Sequence, residues 1–211
     1  TVTRRQRQMC IRDSFISKPN FSFIIADYSQ IELRVLAHLS QDSTMIEILK
    51  NKKSDIHSET ASRIFNVPIG DVTSDMRRKA KEVNFGLIYG MEAFGLSKSL
   101  DIEQKEASQL IESYFSQFPE IKGFLDNIVL KATKDSFTET LIGRKRYIRE
   151  LNSSNFQVKA AGKRIAMNAP IQGTAADIMK IAMIKVLHKI KELDQTPVSY
   201  THLTLPTSHC V

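Results

Sequence analysis

The chain has 211 residues, 42% hydrophobic and 25% charged, with no Trp and a net charge of +7. That composition excludes collagen-like, disulfide-framework and strongly disordered chains, and no apolar run reaches the roughly 18–20 residues that a membrane span needs. The basic balance suits a polyanionic partner, because backbone phosphates attract Lys and Arg without regard to sequence.

Residues 1–14 (TVTRRQRQMCIRDS) carry four Arg and no apolar periodicity. Residues 196–211 (TPVSYTHLTLPTSHCV) carry no charged residue of either sign apart from histidine. The strings RQRQMCIRDS and PVSYTHLTLPT resemble translated sequencing-adapter text, so both ends are read as non-native and set aside. Cys10 and Cys210 lie in those ends. A disulfide framework is therefore not expected, and a reducing cytoplasm is the simpler setting.

Between the ends, FSFIIADYS (21–29) is an apolar run rich in β-branched and aromatic residues, and it predicts a buried strand that ends at Asp27. Ile31, Leu33, Val35, Leu36 and Leu39 fit one broad helix face over 30–39. Met45, Ile46, Ile48 and Leu49 predict a short helix, and 56–65 (IHSETASRIF) predicts another that stops before Val67-Pro68. Thr73 and Ser74 are good N-caps for a long helical pattern from Met76 to Tyr89, and Gly90 supplies its stop. Helices are expected over 108–118 and 121–133, separated around Pro119, with a hairpin over 137–148 centred on Gly143. A helix over 157–167 is expected to end before Pro170, and a second, amphipathic one runs over 174–193. The fold class is α+β, mostly helical, with small sheets near the start and near residue 140.

Three groups of residues could carry chemistry. A carboxylate at a strand end, Asp27, can hold a hard cation such as Mg²⁺, which prefers carboxylate, water and phosphate oxygens. A turn or helix cap explains the same residue. Glu32 follows five residues later, and a solvated helix glutamate explains it equally well. Second, Arg77, Lys81, Phe85 and Tyr89 recur in four-residue steps along one helix face. The cations lie toward the N-terminus, where the macrodipole also favours anions, and the rings follow. A nucleoside triphosphate matches that order of charge and ring in size and sign. Third, Arg164, Asn168 and Gln172 could donate to minor-groove acceptors, although Gln172-Gly173-Thr174 reads equally as the N-cap of the next helix. His38, His57 and His188 lack metal-ligand spacing, and no phosphate-binding glycine loop is present.

FIIADYSQIELRVLAHLSQD resembles motif A of family A DNA polymerases, the bacterial DNA polymerase I type. RRKAKEVNFGLIYGMEAFGL resembles motif B, with its pattern R-x₃-K-x₃-F-x₃-Y-G. TLIGRKRYI and KRIAMNAPIQGTAADIMKIAM resemble downstream palm segments of the same family, and the resemblance runs from about residue 15 to about 195. It implies a polymerase palm with a partial antiparallel sheet over 15–195 and an inserted helical fingers subdomain over roughly 43–135.

The resemblance also implies roles. Asp27 and the backbone carbonyl of Tyr28 would face a metal, within a pair of Mg²⁺ ions that activate a primer 3′-hydroxyl and stabilise leaving pyrophosphate. Glu32 would be the steric gate against a ribose 2′-hydroxyl. His57, Arg77 and Lys81 would neutralise the incoming triphosphate, and Lys81 could protonate the leaving group. Phe85 would stack on the nucleotide, and Tyr89 would pack beside the templating base. Arg164, Asn168 and Gln172 would follow the minor groove of primer-template DNA. The expected partners are that DNA and a dNTP, with no membrane, in a monomeric cytoplasmic protein.

The family also has a His-Asp-Glu turn carrying a second metal-binding aspartate, and no such string occurs here. The chain therefore reads as an internal piece, expected to be inactive alone. The rival readings are a single-subunit RNA polymerase, which Glu32 and Phe85 disfavour, and a non-catalytic DNA-binding module derived from a polymerase.

Overall fold

A computed structural model describes residues 19–20, 26–51 and 54–192. Residues 30–182 form one compact unit, and the described residues on either side of it belong to a second. Of the strand expected over 21–29, residues 21–25 lie outside the described residues; 26–28 are irregular, and Ser29 and Gln30 turn into the first helix.

The larger unit is predominantly helical. Helix α1 (Ile31–Ser40) buries Leu33, Val35, Leu36 and Ala37, the face its periodicity predicts. Helix α2 (Ser43–Lys50) is capped by Asp42, whose carboxylate accepts from the Met45 amide at 2.8 Å. Helix α3 (Ile56–Phe65) is capped by Asp55 in the same way and closed by Asn66 in a left-handed conformation. Helix α4 (Ser74–Ile88) begins at the expected Thr73 cap. Helix α5 (Ala93–Leu100), which the periodicity reading did not anticipate, follows at once. Helices α6 (Gln104–Gln117) and α7 (Pro119–Asp135) meet at an elbow where Tyr114, Phe118 and Ile121 are fully buried. Pro119 is the first residue of α7, where its missing N–H costs nothing. These seven helices share one core, to which Ile171 also contributes.

Strands β1 (Phe137–Glu139) and β2 (Lys145–Tyr147) form the expected antiparallel hairpin, with Phe137 opposite Tyr147 and Glu139 opposite Lys145. Helix α8 (Phe156–Glu192) corrects the sequence reading. Two helices separated at Pro170 were expected, with Gln172-Gly173-Thr174 open as a cap, but one helix of 37 residues carries Pro170 inside it.

The local cost of an interior proline is about 3 kcal/mol. Packing around the proline opposes that cost. Ala166, Ala169, Pro170 and Ile171 are all buried. Just beyond them the hairpin pins the helix with three hydrogen bonds: the Leu141 amide to Thr174 Oγ1 at 3.0 Å, Arg144 Nη2 to the Gly173 carbonyl at 3.0 Å, and Arg144 Nε to Asp177 Oδ1 at 2.9 Å. One face of α8 is made of small residues so that this layer can approach. A Cβ at Gly162 would stand 2.9 Å from the Leu151 amide nitrogen and 3.0 Å from the Glu150 carbonyl carbon.

In the second unit, the end of α8 presents Met183, Ile184, Val186 and Leu187 to solvent, so the apolar positions expected over 174–193 are not core there.

Two glycines in helix interiors should therefore respond oppositely to alanine. Gly123→Ala on α7 meets open space and should raise unfolding stability by about 0.5–1 kcal/mol through helix propensity. Gly162→Ala meets backbone and should lower stability by about 1–3 kcal/mol despite the same propensity gain. Urea unfolding of the two variants measures both signs.

Candidate nucleotide-facing site

The site grows from the joint between α3 and α4. Asp55 caps α3 by accepting from the Ser58 amide at 2.9 Å and the Ser58 hydroxyl at 2.7 Å. The same carboxylate grips Arg77 on α4 with two bonds, from Nε at 2.8 Å and from Nη2 at 3.2 Å. Burial pushes the Asp55 carboxyl up, but the hydrogen bonds from Arg77 and Ser58 outweigh it and hold it at about 2. Arg77 thus arrives at the surface oriented by a planar two-point contact. Lys81, one turn further, is exposed and makes no ion pair or hydrogen bond with a described residue.

Behind the cations lies a buried polar knot. Asn84 and Thr60 are fully buried, and His57 is 6% exposed. Thr60 donates its hydroxyl proton to the Ile56 carbonyl at 2.7 Å, and the Asn84 amide nitrogen approaches both Thr60 Oγ1 at 3.1 Å and His57 Nδ1 at 3.2 Å. Burial lowers the His57 pKa, with Arg77 and Lys81 adding to the effect and Asp55 opposing it. These effects favour the neutral ring.

A line of rings leads on toward the C-terminal end of α4. The His57 and Phe85 rings lie 5.6 Å apart, and those of Phe85 and Tyr89 lie 6.5 Å apart and nearly parallel. Tyr89 is the cap residue that ends α4. The turn after it has the Schellman pattern: the Gly90 amide donates to the Leu87 carbonyl and the Met91 amide to that of Gly86, with Gly90 at φ +65°. Glycine is required there twice, because a Cβ would also stand 3.2 Å from the Arg164 Cα on α8.

The Tyr89 hydroxyl donates to Glu32 Oε2 at 2.8 Å, which ties the end of α4 to α1. Burial and the Glu32 carboxylate push the phenol pKa up, while a hydrogen bond with Gln172 on α8 opposes them.

Most of the residues singled out from sequence are thus linked by contacts. His57, Phe85, Tyr89, Glu32 and Gln172 form a chain of contacts, Arg77 is joined to it through Asp55, and Arg164 flanks Gly90. Arg164, Asn168 and Gln172 share one face of α8 at four-residue steps; the Asn168 Oδ1 is buried without a hydrogen-bond partner among the described residues. Asp27 and Tyr28 belong to the second unit. Both are exposed, and Asp27 makes no hydrogen bond or ion pair with a described residue.

An open carboxylate followed by a peptide carbonyl is the hard-oxygen donor set that Mg²⁺ takes alongside water and phosphate oxygens. Among the described residues no three acidic, histidine or cysteine side chains cluster as a metal site. No described helix is long and apolar enough to cross a membrane. Asp55, Thr60 and Asn84 were not singled out from sequence. The legible signal was an asparagine at a core position of α4, among Ala80, Val83, Leu87 and Ile88.

Against known proteins, residues 1–203 match the model of DNA polymerase family A. The chain is 50% identical over 182 residues to DNA polymerase I of Caldicellulosiruptor bescii, covering 86% of this chain and 21% of that protein. It is 48% identical over 183 residues to DNA polymerase I of Geobacillus stearothermophilus, with the same two shares. The fold resembles the POL domain of Pol1 from M. smegmatis in complex with DNA primer-template and dNTP, at TM-score 0.76 and 49% identity, over 80% of this chain and 30% of that one. The chain spans about a fifth of the length of the curated relatives it matches.

The Asp55–Arg77 pair predicts a pH signature. A carboxyl held at about 2 when folded, against 3.8 ordinarily, stabilises the fold fully above pH ~4 and loses that contribution as pH falls toward 2. Asp55→Asn keeps a capping side chain but loses the charge. It should cost under about 1 kcal/mol at pH 7, because the pair is partly exposed. Asp55→Ala, which loses the cap as well, should cost about 1–2 kcal/mol. The gap between the wild-type chain and Asp55→Asn should close between pH 4 and 2 in urea unfolding.

Proposed function

The chain belongs to DNA polymerase family A, and from that premise we propose that it is part of a DNA-directed DNA polymerase whose α3–α4 joint receives the incoming dNTP. The observation that carries this reading is the contact chain from His57 through Phe85 and Tyr89 to Glu32, with Arg77 held beside it by Asp55, the cap of the helix that carries His57. It orders cation, donor, ring and carboxylate along one path, as a triphosphate, base and sugar require. The reaction is nucleotidyl transfer to a primer 3′-hydroxyl, with pyrophosphate leaving.

Each residue has work that its surroundings support. Arg77 and Lys81 meet the triphosphate charge, and the unpaired Lys81 has a proton to give to the leaving group. Phe85 offers a ring face for stacking. Tyr89 closes the far end of the path, and its bond to Glu32 holds that carboxylate where it excludes a ribose 2′-hydroxyl. Arg164, Asn168 and Gln172 lie beyond Tyr89 on α8, where primer-template DNA would pass. Asp27 and the Tyr28 carbonyl would hold Mg²⁺, which supplies charge stabilisation at phosphate oxygens when bound.

A second metal-binding aspartate has no counterpart string in the sequence, so the 211-residue chain should bind dNTP but extend no primer; template-dependent incorporation above background would contradict this. We also propose palm and fingers over 15–195, with fingers over roughly 43–135, and non-native segments over 1–14 and 196–211.

Equilibrium binding of dATP and ATP tests the site itself. Lys81→Ala should weaken dATP about tenfold or more, the loss of one charge-assisted phosphate contact. Glu32→Ala should narrow the preference for dATP over ATP. Unchanged dATP affinity in Lys81→Ala would sink the assignment.

A further inference from the structure

The buried knot behind the cations fixes a proton. Thr60 has one hydroxyl hydrogen, and the 2.7 Å bond to the Ile56 carbonyl takes it. Thr60 Oγ1 can then only accept from Asn84, so the Asn84 side chain turns its NH₂ toward Thr60. The second hydrogen of that NH₂ points at His57 Nδ1, 3.2 Å away. With the amide reversed, its oxygen would be the nearer atom to Thr60 Oγ1, at the expense of the 3.1 Å bond, and His57 Nδ1 would have to donate. In the orientation observed, the amide nitrogen is nearer to Thr60 Oγ1, at 3.1 Å against 3.5 Å for Oδ1, and the same nitrogen faces His57 Nδ1, which makes that ring nitrogen an acceptor.

Burial and the nearby cations Arg77 and Lys81 favour the neutral imidazole, with Asp55 opposing them. A neutral ring that accepts at Nδ1 carries its hydrogen on Nε2. Nε2 has no partner among the described residues, and it is not one of the described buried polar atoms left unpaired, so solvent reaches it.

We infer that Asn84 is a positioning residue: it holds His57 in the Nε2–H tautomer, so that the ring presents a donor to a phosphate oxygen without carrying charge. Phosphate oxygens only accept. The opposite tautomer would turn a lone pair toward them, and a charged ring would add a third cation beside Arg77 and Lys81. Thr60 acts through Asn84, accepting from its amide nitrogen at 3.1 Å and so favouring the observed orientation. The inference rests on the proposed dNTP site and names a device inside it.

Long-range ¹H–¹⁵N correlation NMR on the full chain reads the tautomer directly, before and after adding dATP. His57 should show a protonated Nε2 and a bare Nδ1, and its Nε2 signal should shift with dATP. Asn84→Asp replaces the donor by an acceptor, so the proton should move to Nδ1 and dATP affinity should fall about tenfold, the value of one hydrogen bond to a charged group. Thr60→Val removes the lone pairs that orient the amide, so an Nδ1–H population should appear even if Asn84→Asp does not fold. A wild-type Nδ1–H tautomer would overturn the inference alone, as would unchanged dATP affinity in folded Asn84→Asp. The expected tautomer with no response of His57 to dATP would instead overturn the dNTP reading beneath it.

Discussion

The docking of α3 on α4 is the constraint on which the rest depends. Two helices that pack through Ile56, Ala61, Ile64, Val83 and Leu87 would be free to slide if their contact were only apolar. They are held in register by polar pairs that tolerate no sliding. At the surface, Asp55 must reach Arg77. In the interior, Thr60 and Asn84 must meet without an unpaired group, since a buried orphan costs about 1–3 kcal/mol. One register satisfies both, and in that register the His57 and Phe85 rings adjoin each other, with two cations on the same helix.

The same logic extends to the end of α4. The Schellman turn at Gly90 fixes where Tyr89 stands, and the close approach of α8 at Arg164 leaves room only for glycine. Tyr89 then joins α1 through Glu32 and α8 through Gln172. α8 is in turn held by the hairpin through Thr174, Gly173 and Asp177. A chain of hydrogen bonds thus runs from the proposed nucleotide face to the helix face assigned to DNA, so each layer depends on the one behind it.

Much of this was legible before any coordinates. The Thr73 cap gave the start of α4 and Val67-Pro68 the stop of α3, because caps and proline stops are local decisions made by neighbouring residues. The cation-and-ring ladder was legible because four-residue spacing is geometric. Helix α5 was missed: AFGLSKSL is short and carries Gly95 and two serines, and Leu96 and Leu100 form too brief a stripe to announce a helix. The continuity of α8 was missed because proline is a strong local stop, while the hairpin that offsets it lies some 30 residues earlier. The Asn84–His57–Thr60 knot was missed for a related reason. Its partners are 24–27 residues apart in sequence, and only Asn84, at a core position of α4, carries any signal by itself. His57 gained its role only through family resemblance, and Glu32, noted five residues after Asp27, became a gate only through the same resemblance.

Amide hydrogen exchange of the full chain, with and without dATP, tests the central claim that the α3–α4 joint is the nucleotide-facing surface. Exchange should slow over 56–65 and 74–90 and stay unchanged in α6 and in the hairpin at 137–147. Slowing confined to α6, α7 or the hairpin, with 56–90 unaffected, would contradict the account.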